Sequence, residues 1–71
     1  MKSTLLLKLG KQIKYYRLKM NLSQEELANR ANVHRTYIGM VERGEKNITI
    51  SSLKKIATAL EIDISLLTRD L

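Results

Sequence analysis

Residues 22–44 read LSQEELANRANVHRTYIGMVERG, and two consecutive helix starts written in the same local chemistry decide the fold. Ser23 carries the short hydroxyl that accepts from a free backbone N–H at a helix start. Glu26 follows at capping-box distance, and Leu22 and Leu27 hold the N′ and N4 positions of a hydrophobic staple. A helix therefore begins at Gln24. Its inward residues Leu27, Ala28 and Ala31 are small or aliphatic, and Asn32 follows, a residue type that tolerates the left-handed conformation of a sharp exit. Val33 and Ile38 repeat the staple spacing around His34, which predicts a second helix over about Arg35–Arg43, stopped by Gly44.

The flanks continue the pattern. Leu6, Leu9, Ile13, Tyr16 and Met20 are spaced by alternating threes and fours, the signature of an amphipathic helix, and Asn21 ends it. After the polar loop GEKN, Ile48, Thr49 and Leu53 again place an apolar N′, a cap and an apolar N4. A fourth helix is predicted over about Ile50–Leu60, with Leu53, Ile56, Ala57 and Leu60 inward. Ile62, Asp63 and Leu67 repeat the arrangement for a short fifth helix with Asp63 as cap. No stretch alternates as a strand does, and agreement among four helix starts makes the chain all-α, a five-helix bundle. With no proline, repeat or composition shift, residues 1–71 are expected to form a single domain.

Composition narrows the function classes. At 71 residues and 44% hydrophobic content the core is modest, since a domain of about 60 residues buries only about 60% of its unfolded surface. The absence of cysteine removes a disulfide framework and a thiolate zinc site, and one histidine builds no metal site alone, so neither metal nor cofactor is expected. No apolar stretch approaches the roughly 20 residues of a bilayer span, and Lys8 interrupts Leu5–Leu7 before it can form a signal core. A cytoplasmic protein is the expectation. The net charge is +6, and the first 20 residues hold Lys2, Lys8, Lys11, Lys14, Arg17 and Lys19 with no acid. This favours a polyanionic partner; a merely solubilising surface is the plainer alternative. Catalysis is disfavoured, because no nucleophile stands with an acid/base pair and no glycine-rich loop follows a strand. A membrane-surface role for the first helix is disfavoured as well, since its apolar stripe lacks Trp and Phe.

The faces of the third helix separate at about 100° per residue. Ile38, Val41 and Glu42 point one way. Thr36, Gly39, Met40 and Arg43 point the other, with Arg35 and Tyr37 on the flanks near the N-terminal end. Two short helices of this kind have the layout of a helix-turn-helix, whose second helix lays its N-terminal residues against base edges in the major groove. Arg35 suits that position because its fork spans guanine O6 and N7, and Thr36 offers a hydroxyl or a methyl to the neighbouring base. Gly39 costs about 1 kcal/mol relative to Ala in a helix interior, which suggests that a bulkier side chain would obstruct the groove. A solvated face with an incidental glycine is the plain reading beside it. Tyr37 can reach phosphate or base, or roof the core.

With those residues in place, the chain resembles the Cro/repressor-type (XRE) helix-turn-helix family. The resemblance runs from LGKQIKYYR in the first helix through SQEELA and YIGMVERG to SLKKIATALEIDISLL. HRTYIGMVERGEKNITISSL is similar within that family to the controller proteins of restriction-modification systems, homodimeric regulators of their own operon and of the endonuclease gene. Asn21 and Asn32 stand where the family usually has Gly, Ile48 where it often has Pro, and His34 where a cap is more often Ser, Thr or Asp.

The resemblance implies a phage-repressor-type bundle that binds a double-stranded DNA operator as a homodimer. The base-reading candidates are Arg35, Thr36, His34, Tyr37 and Met40. Ser23 and Gln24, at a helix N-terminus that favours anions, and Arg43, Lys46 and Asn47, at the exit of the third helix, are the phosphate-binding candidates. Glu42 falls inward and needs a partner, which the resemblance gives as Arg17. Two-fold pairing would set recognition helices about 34 Å apart. Leu66, Ile64 and Ile48 are the candidates for that dimer interface, Leu67 being left to the core. Glu25, exposed on the second helix, is a candidate contact for RNA polymerase. No small-molecule ligand is expected. The alternative function is a protein-interaction module with the same fold, such as an antitoxin or anti-repressor.

Overall fold

The computed structural model describes residues 3–71, so Met1 and Lys2 lie outside the described residues. Five helices follow one another: α1 Thr4–Lys19, α2 Gln24–Ala31, α3 Arg35–Glu42, α4 Ile50–Ala59 and α5 Ser65–Thr68. Each start has a local cause. Side chains of Ser3, Ser23, His34 and Thr49 accept the backbone N–H groups of Leu6, Glu26, Thr36 and Ser52. His34 does so through Nδ1 at 3.2 Å, so an imidazole fills the cap position that a hydroxyl or carboxylate more often occupies. At α5 the Asp63 carboxylate accepts from Ser65 at 2.9 Å, one residue earlier than a standard cap, and the helix is only one turn long.

The helix ends share one solution. Asn21, Asn32, Gly44 and Glu61 take positive φ at 57°, 57°, 72° and 58°. The residue after each donates back across the last turn: Leu22 to Arg17, Val33 to Ala28, Glu45 to Met40 and Ile62 to Ala57. This is the Schellman arrangement, which satisfies carbonyls that the helix leaves free. The sequence marked the stops at Asn21, Asn32 and Gly44. It gave no mark at Glu61, because a glutamate has no preference for the left-handed region.

Ile13, Leu27, Ile38, Ile56, Leu60 and Leu67 are fully enclosed and knit α1 through α5 into one core. In the contacts between helices, α3 packs on α2 and α1, α4 on α2, and α5 on α1. Leu6, Tyr16 and Met20 of the predicted α1 stripe are only half-buried, whereas Gly10 and Arg17 are buried. A Cβ on Gly10 would stand 2.5 Å from the carbonyl oxygens of both Val41 and Glu42. The backbones of α1 and the end of α3 therefore approach as closely as a glycine permits. Among the described residues no helix is long and apolar enough to cross a membrane.

Candidate nucleic-acid interface

The interface begins with the buried pair beneath it. Arg17 Nε donates to Glu42 Oε2 at 2.7 Å, and Nη2 donates to Oε1 at 3.1 Å. Its Nη1 caps the Leu22 carbonyl at 2.8 Å. Three helices meet here, because Gln24 Nε2 on the first turn of α2 also donates to Glu42 Oε1, at 3.0 Å. Glu42 was inward by periodicity, and its burial is compensated by a bidentate fork and an amide. The network fixes the end of α3 against α1 and the start of α2.

Above it lies an open groove lined by Arg17, Ser23, Gln24, Glu25, Arg35, Thr36, Gly39 and Arg43. It brings together the N-terminus of α2 and the face of α3 that the periodicity turned outward. Ser23 completes a capping box there: its hydroxyl accepts from Glu26 N at 3.0 Å, and its own N–H donates to the Glu26 carboxylate at 2.8 Å. That N–H, reinforced by the hydroxyl, holds the Glu26 carboxyl below the usual carboxylate range. The Ser65 N–H does the same for Asp63. The N–H groups at the first two positions of α2 have no helix carbonyl to meet, as at every helix start, and point their partial positive charge out of the N-terminus.

Of the base-reading candidates, Arg35 and Thr36 are exposed in this groove. His34 shares with Arg35 a smaller neighbouring depression that also includes Glu25, Asn29 and Val33. Tyr37 and Met40 are half-buried and lie outside the groove. Tyr37 packs on the core while the Lys46 ammonium sits 6.0 Å from its ring centroid. Of the phosphate candidates, Ser23, Gln24 and Arg43 line the groove, and Lys46 and Asn47 are exposed on the loop after α3.

Gly39 lines the groove on the face that the period turned outward, but it is covered there by side chains of the protein itself: a Cβ would come within 3.1 Å of Arg43 Nη1 and 3.5 Å of Gln24 Oε1. Its smallness lets the Arg43 guanidinium and the Gln24 amide converge over α3. Two ion pairs at the groove were also invisible in the sequence. Arg35 Nη1 meets Glu25 Oε2 at 3.0 Å, and Arg43 Nε meets Glu45 Oε1 at 3.0 Å. Glu25, the exposed residue that the sequence offered as a polymerase contact, is engaged by Arg35 and remains exposed. Ten residues separate that pair, and only the angle between α2 and α3 brings them together.

The candidates for subunit pairing are divided. Ile48 and Ile64 are half-buried and packed against their own core, and Leu66 is half-buried. Ile50, which the sequence reading did not single out, is 76% exposed at the first position of α4.

Comparisons with known proteins agree with this geometry. The Helix-turn-helix family profile matches residues 13–67. Control protein C.SmaI of Serratia marcescens is 50% identical over 62 residues, covering 86% of this chain and 74% of that protein. Control protein C.BamHI of Bacillus amyloliquefaciens is 43% identical over 54 residues, covering 75% and 67%. The crystal structure of the restriction-modification controller protein C.AhdI from Aeromonas hydrophila superposes with a TM-score of 0.86 at 40% identity, covering 87% of this chain and 94% of that one. The chain belongs to the XRE-type helix-turn-helix family of non-enzymatic, DNA-binding transcriptional regulators, and within it is similar to the restriction-modification controller proteins.

Proposed function

We propose that this protein is a cytoplasmic controller that binds an inverted-repeat operator as a homodimer and regulates the operon encoding it. The observation that carries this reading is the groove in which the N-terminus of α2 and the exposed face of α3 converge, with Ser23, Gln24, Arg35, Thr36 and Arg43 on one surface. α3 enters the major groove. Arg35 and Thr36 read base edges, flanked by His34, Tyr37 and Met40. The N-terminus of α2 at Ser23 and Gln24 holds one phosphate, and Arg43, Lys46 and Asn47 hold the next. Arg17 and Glu42 set the angle at which α3 is presented. Ile48, Ile50, Ile64 and Leu66 supply the apolar surface for a second subunit.

The test uses a duplex selected by the full chain from a random-sequence library, alongside unselected duplex of equal length. Arg35→Ala should weaken the selected site by about 1–3 kcal/mol and flatten discrimination at one base pair per half-site. Lys46→Ala should weaken both duplexes alike and reduce the slope of log affinity against log salt by about one per subunit. If Arg35→Ala weakened every duplex equally while Lys46→Ala changed base preference, α3 would lose its assignment as the reading element.

A further inference from the structure

Every arginine that lines the proposed DNA-reading groove is engaged by a carboxylate. Arg17 is held by Glu42, Arg35 by Glu25 and Arg43 by Glu45. The first pair is buried and structural. The other two are exposed, with side chains of Arg35 and Glu25 at 67% and 61% and of Arg43 and Glu45 at 54% and 36% accessibility. The consequence for charge is unexpected. The chain carries +6, yet each of the three guanidiniums lining the groove is met by a carboxylate, Glu25 in the lining itself and Glu42 and Glu45 beside it. Charge without a carboxylate partner among the described residues lies elsewhere, as at Lys8, Lys11, Lys14 and Lys19 of α1, a helix that holds no acid.

Resting on the reading that Arg35 and Arg43 contact DNA, we propose that Glu25 and Glu45 are intramolecular competitors for that DNA and hold the operator affinity of the free protein down. A guanidinium that leaves its carboxylate for a base edge or a phosphate breaks one charged contact to make another. The negative charge of Glu25 or Glu45 then stands beside the polyanion with one fewer guanidinium on it. Both effects oppose binding, and replacing the carboxylate by an amide removes the charge that drives both. The device acts on affinity, because an arginine must leave its carboxylate at any duplex it is to contact. The operator thereby fills at a higher concentration of the protein than it would without the two carboxylates.

The opposite role for the same contacts is pre-orientation, in which the carboxylate stays in place and aims the guanidinium at its base. The two roles predict opposite signs. Under competition, Glu25→Gln should tighten binding to the selected duplex by up to about fivefold, the range of an exposed ion pair, and Glu45→Gln should act similarly. The slope of log affinity against log salt should steepen by up to about one per subunit for each carboxylate removed. The gain from Glu25→Gln should disappear in an Arg35→Ala background, and that from Glu45→Gln in an Arg43→Ala background.

Weaker or unchanged binding by Glu25→Gln and Glu45→Gln would overturn the proposal in favour of pre-orientation or no role. A gain that persists without the arginine would overturn it in favour of a general field effect. Failure of the underlying reading has its own signature: Arg35→Ala and Arg43→Ala would then leave binding to the selected duplex unchanged, and the proposal would fall with it.

Discussion

Arg17 on α1 and Glu42 at the end of α3 are joined by two parallel hydrogen bonds across 25 residues of chain, at 2.7 and 3.1 Å, with both side chains nearly excluded from solvent. Removing one partner strands the other charge in the core. Arg17→Ala should destabilise the fold by about 3–5 kcal/mol, and the double variant Arg17→Met/Glu42→Leu by much less, because apolar residues of similar size can replace a buried pair. Urea midpoints of the two variants check this; equal losses would mean that the fork contributes beyond compensating its own burial.

Gly10 reverses an ordinary expectation. In an exposed helix interior Gly→Ala stabilises by about 1 kcal/mol. Here the added methyl would meet two backbone carbonyls at 2.5 Å, and neither belongs to a flexible side chain. Gly10→Ala should cost about 2 kcal/mol net in chemical denaturation, in the range of an overpacked core, and should displace α3. A neutral result would mean that α1 slides freely on α3.

Glu61 is a site where the natural residue is strained. A non-glycine residue in the left-handed region costs on the order of 1–2 kcal/mol, and the exposed contact to Arg30 at 3.6 Å returns little. Glu61→Gly should raise Tm by about 2–4 °C after allowance for the greater chain entropy of glycine. Glu61→Gln, which loses the ion pair but keeps the strain, should not. Calorimetry of both variants separates conformation from charge.

Glu26 gives an acid-sensitive contribution of known sign. Its folded carboxyl is held below the usual range by the Ser23 N–H and hydroxyl. The stability it contributes is complete above the unfolded carboxylate range and is lost as the pH falls from that range through the folded value. Glu26→Gln keeps a capping-box amide but cannot titrate. The stability difference between wild type and variant should therefore shrink on acidification, followed as urea midpoint against pH. Asp63 contributes in the same direction through Ser65.

Leu66→Lys tests the proposed subunit surface. Sedimentation should shift toward monomer and operator binding should weaken, since one small domain reads only a few base pairs. An unchanged dimer would move the interface toward the exposed Ile50.

Helix starts and stops were legible because capping is local: Ser23, Thr49, Asn21, Asn32 and Gly44 each act within one turn of their own position. The outward exposure of Thr36 and Arg43 followed from helical period alone, whereas Met40, which the period also turned outward, is half-buried. What stayed hidden depends on how helices cross. Nothing in the period of α1 marks Gly10 until α3 is laid on it, and the side chains that close over Gly39, Arg43 and Gln24, are not fixed by its own helix. The Glu25–Arg35 and Arg43–Glu45 contacts carry no periodic signature. Glu61 was hidden for another reason, since its left-handed backbone closes the end of α4 without being a conformation its residue type prefers.

The single turn of α5 has a consequence for the assembly. Helices this short have no stability of their own in water, so α5 persists through Leu67 buried in the core and the Asp63 carboxylate at its start. Such a segment opens locally far more readily than the core helices. On the proposed pairing surface, the element that recruits the second subunit is also the one closest to melting. If the second subunit docks there, mass action links the order of α5 to pairing, and the four residues of this helix would be more frayed in the monomer than in the dimer.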